Sequence, residues 1–308
     1  MKKTQEEWAR YIQDEIKKND SYDNYKHVFI EYKDYLEECL LENPRDVEKV
    51  CQLAAVYNEL NYQWDDIYKL LNEFIKKYEN ELTNEEKSRI YTNLGFYYDD
   101  QRYGSKRAIR TLRKAVVFNP NNSKAYYGLG ANYYGAGKYD KSEEMYKRAC
   151  ELENNPIYKF EYANLLMVNG KYEEAKIILE ELIKKDFEFG KEDFAKIKYS
   201  YIANKIQLKE FENIEDEINE LMLETVNKDD FFEEEFAELY YLVGSYEKSR
   251  KIYSKFKIQD YQFPAWWLRF YFYSLKQLNE IEKLQENFKI VLKKCLPQLD
   301  AGRPFVLI

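Results

Sequence analysis

Turn-forming residues are scarce in this 308-residue sequence, which has only 10 Gly and 6 Pro beside 31 Tyr and an aromatic content of 17%. That balance fits packed helices. The four cysteines, Cys39, Cys51, Cys150 and Cys295, are far apart and form no CxxC pair, so a disulfide framework or a zinc site has little support. A reducing cytosol is the plain inference. With a single histidine, His27, an imidazole-based metal cluster is excluded, and no nucleophile stands in an elbow or loop that would make His27 part of a catalytic device. Neither GxGxxG nor GxxxxGK[ST] occurs, and the glycine cluster Gly128, Gly130, Gly135 and Gly137 reads as close helix packing followed by a C-terminal cap. No catalytic residue, no cofactor-binding residue and no metal ligand is therefore expected, and the chain is read as not an enzyme.

Positive charge is also in deficit. The formal net charge is -8, which speaks against a general nucleic-acid or anionic-membrane binder and favours basic partners. No stretch approaches the ~20 apolar residues of a membrane span, and the first 25 residues are charged throughout, without the apolar core of a signal peptide. A cytoplasmic protein is expected. Bases concentrate at Arg102, Lys106, Arg107, Arg110, Arg113 and Lys114, where Lys106, Arg110 and Arg113 share a stripe; a solvated outer helix face is the plainer reading of it.

What the chain does have is repetition. From Ser123 to Pro156, Tyr126, Leu129, Gly130 and Tyr133 recur at helical spacing until Gly137, after which Tyr139, Ser142, Tyr146, Ala149 and Leu152 restart the period. Asn154-Asn155-Pro156 closes the second run. Two helices joined by a glycine turn are predicted, with Gly130 and Ala149 letting the backbones approach. Such a hairpin cannot bury its apolar faces alone, so it implies a stack of neighbours.

The preceding unit repeats the pattern through Tyr91, Leu94-Gly95, Tyr98, Ala108, Leu112, Ala115 and Pro120. Both units resemble the tetratricopeptide repeat (TPR). The resemblance implies an all-α fold, an α-solenoid forming a right-handed superhelix of about seven antiparallel helix pairs. Residues 1–43 read as an N-terminal helical cap or degenerate repeat, 44–296 as the superhelical array with its clearest repeats at 88–122, 123–155 and 156–187, and 297–308 as a C-terminal tail after Pro297. In the stretch beyond Asp186 the spacing persists but Lys209-Glu210 replaces the glycine turn. The linker from Val226 to Asp230 is the expected flexible point.

In such an array the first helix of each pair lines the concave wall. The inward positions are Phe96, Asp99, Lys124, Tyr127, Tyr134, Phe160, Asn164, Tyr199, Tyr241, Trp266, Arg269 and Tyr273. Aromatic and arginine side chains dominate binding energies, so this wall is the expected partner-binding face. Some members of the family clamp a C-terminal carboxylate there. Asn93 and Lys124 match that pattern, whereas Cys51, Ala55 and Gly128 do not, which points to an apolar or aromatic peptide or a folded partner instead. The expected function is a scaffold binding a protein or peptide in its groove. The alternatives are an acidic immunity or antitoxin-type inhibitor of a basic toxin or enzyme, and a peptide-responsive bacterial regulator acting through another protein.

Overall fold

The computed structural model describes residues 3–18, 22–60, 64–99, 105–184, 191–225, 233–255 and 268–300. All regular structure among them is helical. The α-helices are α1 (Gln5–Lys18), α2 (Tyr22–Glu42), α3 (Val47–Glu59), α4 (Trp64–Tyr78), α5 (Asn84–Asp99), α6 (Lys106–Phe118), α7 (Ser123–Gly135) and α8 (Tyr139–Leu152). They continue as α9 (Pro156–Val168), α10 (Tyr172–Lys184), α11 (Lys191–Gln207), α12 (Ile214–Thr225), α13 (Glu233–Leu242), α14 (Tyr246–Tyr253), α15 (Leu268–Gln277) and α16 (Ile281–Asp300). A 3₁₀ turn at Glu79–Glu81 follows α4. The fold is an all-α solenoid of helix pairs, and the chain divides into two compact units, Met1–Leu165 and Leu166–Ile308.

The described helices make eight pairs, one more than the sequence predicts. Where the glycine signature fades, the backbone keeps the same turn. Gly137, Gly170 and Gly244 take positive φ angles of 67°, 73° and 84°, but so do Lys209 at 60° and Asn279 at 59°. All five close the same turn. At Gly137 the amide donates to the Tyr134 carbonyl and the next amide, of Lys138, reaches back to Tyr133, both at 2.9 Å. At Lys209 the corresponding bonds run to Ile206 at 3.0 Å and from Glu210 to Lys205 at 2.9 Å. This double bond pattern is the glycine-type helix stop, formed here without glycine.

In the first unit, starts are fixed by capping side chains. Thr83 and Glu86 satisfy each other's backbone amides ahead of α5, at 2.8 and 3.2 Å, a reciprocal capping box. Asn122 accepts from the Ala125 amide at 2.9 Å to start α7, while its Nδ2 donates to Ser88 Oγ and Thr92 Oγ1 of α5 at 2.8 and 2.9 Å. One side chain thus ends a loop and ties two first helices together. Trp8 of α1 is buried against Tyr32 and Tyr35 of α2, and this cluster continues through Leu36 into Leu53 and Val56 of α3. The α1 and α2 pair therefore shares its core with the helices that follow. Within the α7 and α8 hairpin, Gly130 is met by the Tyr146 ring and Ala149 is fully buried, the close approach that the small residues predict.

In the second unit the core gathers Ile206, Ile218, Leu221, Phe236, Tyr253, Tyr271 and Leu275. A buried hydroxyl pair, Ser274 to Ser249 at 3.0 Å, joins α15 to α14. The last helix runs on through Pro297 to Asp300, where the sequence predicts its end at Leu296. A proline in the final turn removes only one intrahelical bond, so the helix need not stop there. Residues 100–104, the Val226 to Asp230 linker and the tail beyond Asp300 lie outside the described residues.

Candidate binding face

In the first unit, the first helices α3, α5 and α7 touch one another in succession, whereas α4, α6 and α8 pack chiefly on their own partner or on the next first helix. The first helices therefore form a continuous wall. Phe96 of α5, and Lys124, Tyr127 and Tyr134 of α7, lie on those helices, as the spacing predicts.

The wall's aromatics divide into packed and open ones. Tyr127 stacks on Tyr158 at 4.7 Å between ring centroids and tilts against Tyr146 at 5.8 Å and Phe96 at 6.4 Å. It is half-buried and holds α7, α8 and α9 together. Phe96 lies over Gly128, where a Cβ would come within 3.1 Å of its ring, and carries the Lys124 ammonium above its face at 5.5 Å. Tyr134 is 44% exposed, with Tyr139 tilted against it at 5.7 Å. Phe160 and Asn164 are half-buried on α9. The side chain of Asp99 lies outside the described residues.

Beside Phe96 the wall opens into a cavity of about 290 Å³ whose lining includes Gln52, Arg89, Asn93 and Lys124. Arg89 and Gln52 are absent from the positions predicted from the sequence. Arg89 stands one helical turn before Asn93, whose Nδ2 donates to the Arg89 carbonyl at 3.0 Å, so the repeat register alone could have placed it. Its guanidinium pairs with Glu48 of α3. Lys124 has no ion pair among the described residues. A larger hollow of about 560 Å³ lies at the starts of α3 and α5, but its cations are spoken for: Arg45 pairs with Glu81 at 3.0 Å and Arg89 with Glu48. Of the two, the smaller cavity is the one that presents an uncommitted cation. Cys51 also lines it, but burial pushes its thiol up to about 12 despite the opposing pull of Arg89 and Lys124, so the thiolate is not populated at neutral pH.

In the second unit the predicted residues collect into an aromatic cluster. Tyr241 of α13 lies 5.6 Å from Phe270 and 5.8 Å from Tyr273 of α15, and 5.4 Å from Tyr246. The Arg269 guanidinium sits 4.7 Å over Phe270. Tyr199 of α11 meets Phe236 edge-on at 6.2 Å and donates to the Glu235 carbonyl at 3.4 Å; burial, then the charges of Glu238 and Glu235, hold its phenol well above the usual range. Trp266 lies outside the described residues. His27, exposed on α2, has its Nδ1 3.1 Å from the Asn24 carbonyl, an ordinary local contact.

Comparison with known proteins identifies one of these pairs and the fold of the rest. Residues 123–156 match the Tetratricopeptide repeat family. The α7 and α8 pair is a tetratricopeptide repeat. The chain's TPR fold is shared with the pilF protein of Pseudomonas aeruginosa, at 20% identity over 71% of this chain and 99% of that one, with a TM-score of 0.53. BtubC (BKLC) from P. vanneervenii is similar at 12% identity over 70% of this chain and 94% of its own, with a TM-score of 0.56. A thermophilic TPR protein of Thermus thermophilus matches at 20% identity over 59% and 90% of the two chains, with a TM-score of 0.46. No curated protein sequence matches the chain. Among the described residues, no helix is long and apolar enough to cross a membrane.

Proposed function

We propose that this TPR protein is a non-enzymatic interaction scaffold, holding a protein or peptide partner along the wall made by its first helices. The observation that carries the proposal is Lys124: an ammonium without an ion pair among the described residues, poised 5.5 Å over Phe96 at a cavity shared with Arg89 and Asn93. An aromatic face beside an uncommitted cation and an amide offers apolar contact and directed hydrogen bonds at one place, which is what a peptide anchor needs. Tyr134, 44% exposed on the same helix, extends the face. Tyr127 supports the wall from within and is not itself the contact.

Affinity capture with the wild type and with Lys124→Glu plus Tyr134→Ala tests this reading. Both side chains are exposed, so the fold should survive, as circular dichroism would verify. Partners recovered by the wild type and lost from the double variant support the wall. Equal recovery by both proteins overturns it.

A further inference from the structure

The charge on α6 is unlike that of its neighbours. The helix carries Lys106, Arg107, Arg110, Arg113 and Lys114 and no acid, in a chain whose net charge is -8. Two of these bases stand in its first turn, where the helix dipole disfavours them. The first turns of α8, α10, α12, α14 and α16 all carry acids instead. Arg107 is absorbed by the rings of Tyr98 and Tyr68, at 4.4 and 5.0 Å, and Lys114 lies 5.0 Å over Tyr91. Lys106, Arg110 and Arg113 are exposed and have no ion pair or side-chain hydrogen bond among the described residues. One turn further on, Val117 is 77% exposed. Three free bases and one open apolar side chain therefore follow one another along about 16 Å of a single helix face.

The same sequence carries the complement. On the outer face of α12, Glu215, Glu217 and Glu224 are paired with Lys248, Lys205 and Lys198. Asp216 and Glu220, with Glu212 just ahead of the helix, are exposed and without such partners among the described residues. Leu223 ends this stripe at 76% exposure. Set parallel, the two stripes match in order: Lys106 with Glu212, Arg110 with Asp216, Arg113 with Glu220, and Val117 with Leu223.

We propose that α6 of one copy docks on α12 of another, through this charge-matched row closed by the Val117 and Leu223 contact. The interface is heterologous, so each copy that uses its α6 still offers its α12, and association extends beyond two copies unless it closes on itself. Exposed ion pairs are individually weak and screened, so the assembly is reversible and salt-sensitive.

Sedimentation of the full chain over a concentration series tests this. At ~0.01 M salt, where the screening length is about 30 Å, the weight-average mass should rise with concentration; near ~1 M, where it is about 3 Å, it should fall back to the monomer. Arg110→Glu with Arg113→Glu, or Asp216→Lys with Glu220→Lys, should each weaken association roughly tenfold or more, by turning attraction into repulsion. Carrying all four changes together restores the match and should restore association. A wild type that stays monomeric at low salt overturns the proposal, as does association indifferent to both reversals. Retardation of an oligonucleotide that Arg110→Glu with Arg113→Glu abolishes, without self-association, would assign the α6 stripe to nucleic acid and overturn it equally.

Discussion

The ring of Tyr146 occupies the space that a side chain at Gly130 would need: a Cβ there would lie 2.6 Å from the ring's Cδ1. From the other side, Ser142 Oγ donates to the Gly130 carbonyl at 2.7 Å. The α7 and α8 hairpin is thus locked at one point by a missing side chain and a buried hydroxyl. Gly130→Ala would gain ~1 kcal/mol of helix propensity, but Tyr146 is buried and packed on Tyr127, so overpacking of about 1–3 kcal/mol prevails. The expected net loss is up to roughly 2 kcal/mol. It should appear as a lower urea midpoint with an unchanged slope. An unchanged or higher midpoint would show that the ring can retreat.

Lys209 holds the left-handed conformation that Gly137, Gly170 and Gly244 hold at the same turn. A lysine there costs on the order of 1 kcal/mol that glycine does not. Lys209→Gly should therefore raise stability by up to ~1 kcal/mol, and Asn279→Gly by less, because asparagine tolerates this region. The reverse change, Gly137→Ala, meets open space and should cost about 1 kcal/mol for its backbone alone. Thermal unfolding of the three variants would rank them. A stabilised Gly137→Ala, or a destabilised Lys209→Gly, would contradict the assignment of the turn.

These turns also mark how far the fold could be read from the sequence. Where glycine supplies the positive φ, the helix pair announces itself, and the hairpin at 123–156 was legible residue by residue. At Lys209 and Asn279 the same hydrogen bonds are made by residues whose identity gives no such notice, so there the helical spacing was legible but the turn was not. The candidate face was legible in its positions but less so in its roles. Helical spacing places Tyr127 on the wall, yet only the packing of Tyr158, Tyr146 and Phe96 around it turns it from contact into support. Arg89 was missed for the opposite reason: its importance depends on the cavity between α3, α5 and α7, and cavities have no signature along a chain.

Glu161 of α9 offers a test through pH. Burial alone raises its carboxyl above the usual carboxylate range, and it has no hydrogen bond or ion pair among the described residues. Between its unfolded and folded pKa values the native state binds the extra proton, so ionisation costs stability as pH rises through that window. Glu161→Gln removes the ionisation and keeps the shape. The variant should melt higher than the wild type at neutral pH, and the difference should shrink toward zero as pH falls through the carboxylate range and the wild-type side chain protonates. Glu238→Gln provides the contrast. Burial raises that carboxyl too, but Arg269 pulls it back, so its gain at neutral pH should be smaller, because the glutamine forfeits an attraction that Glu161 does not have. Melting curves for both variants at pH 4 and pH 7 separate the cases. Equal gains at both pH values would mean that side-chain charge is not what burial opposes at Glu161.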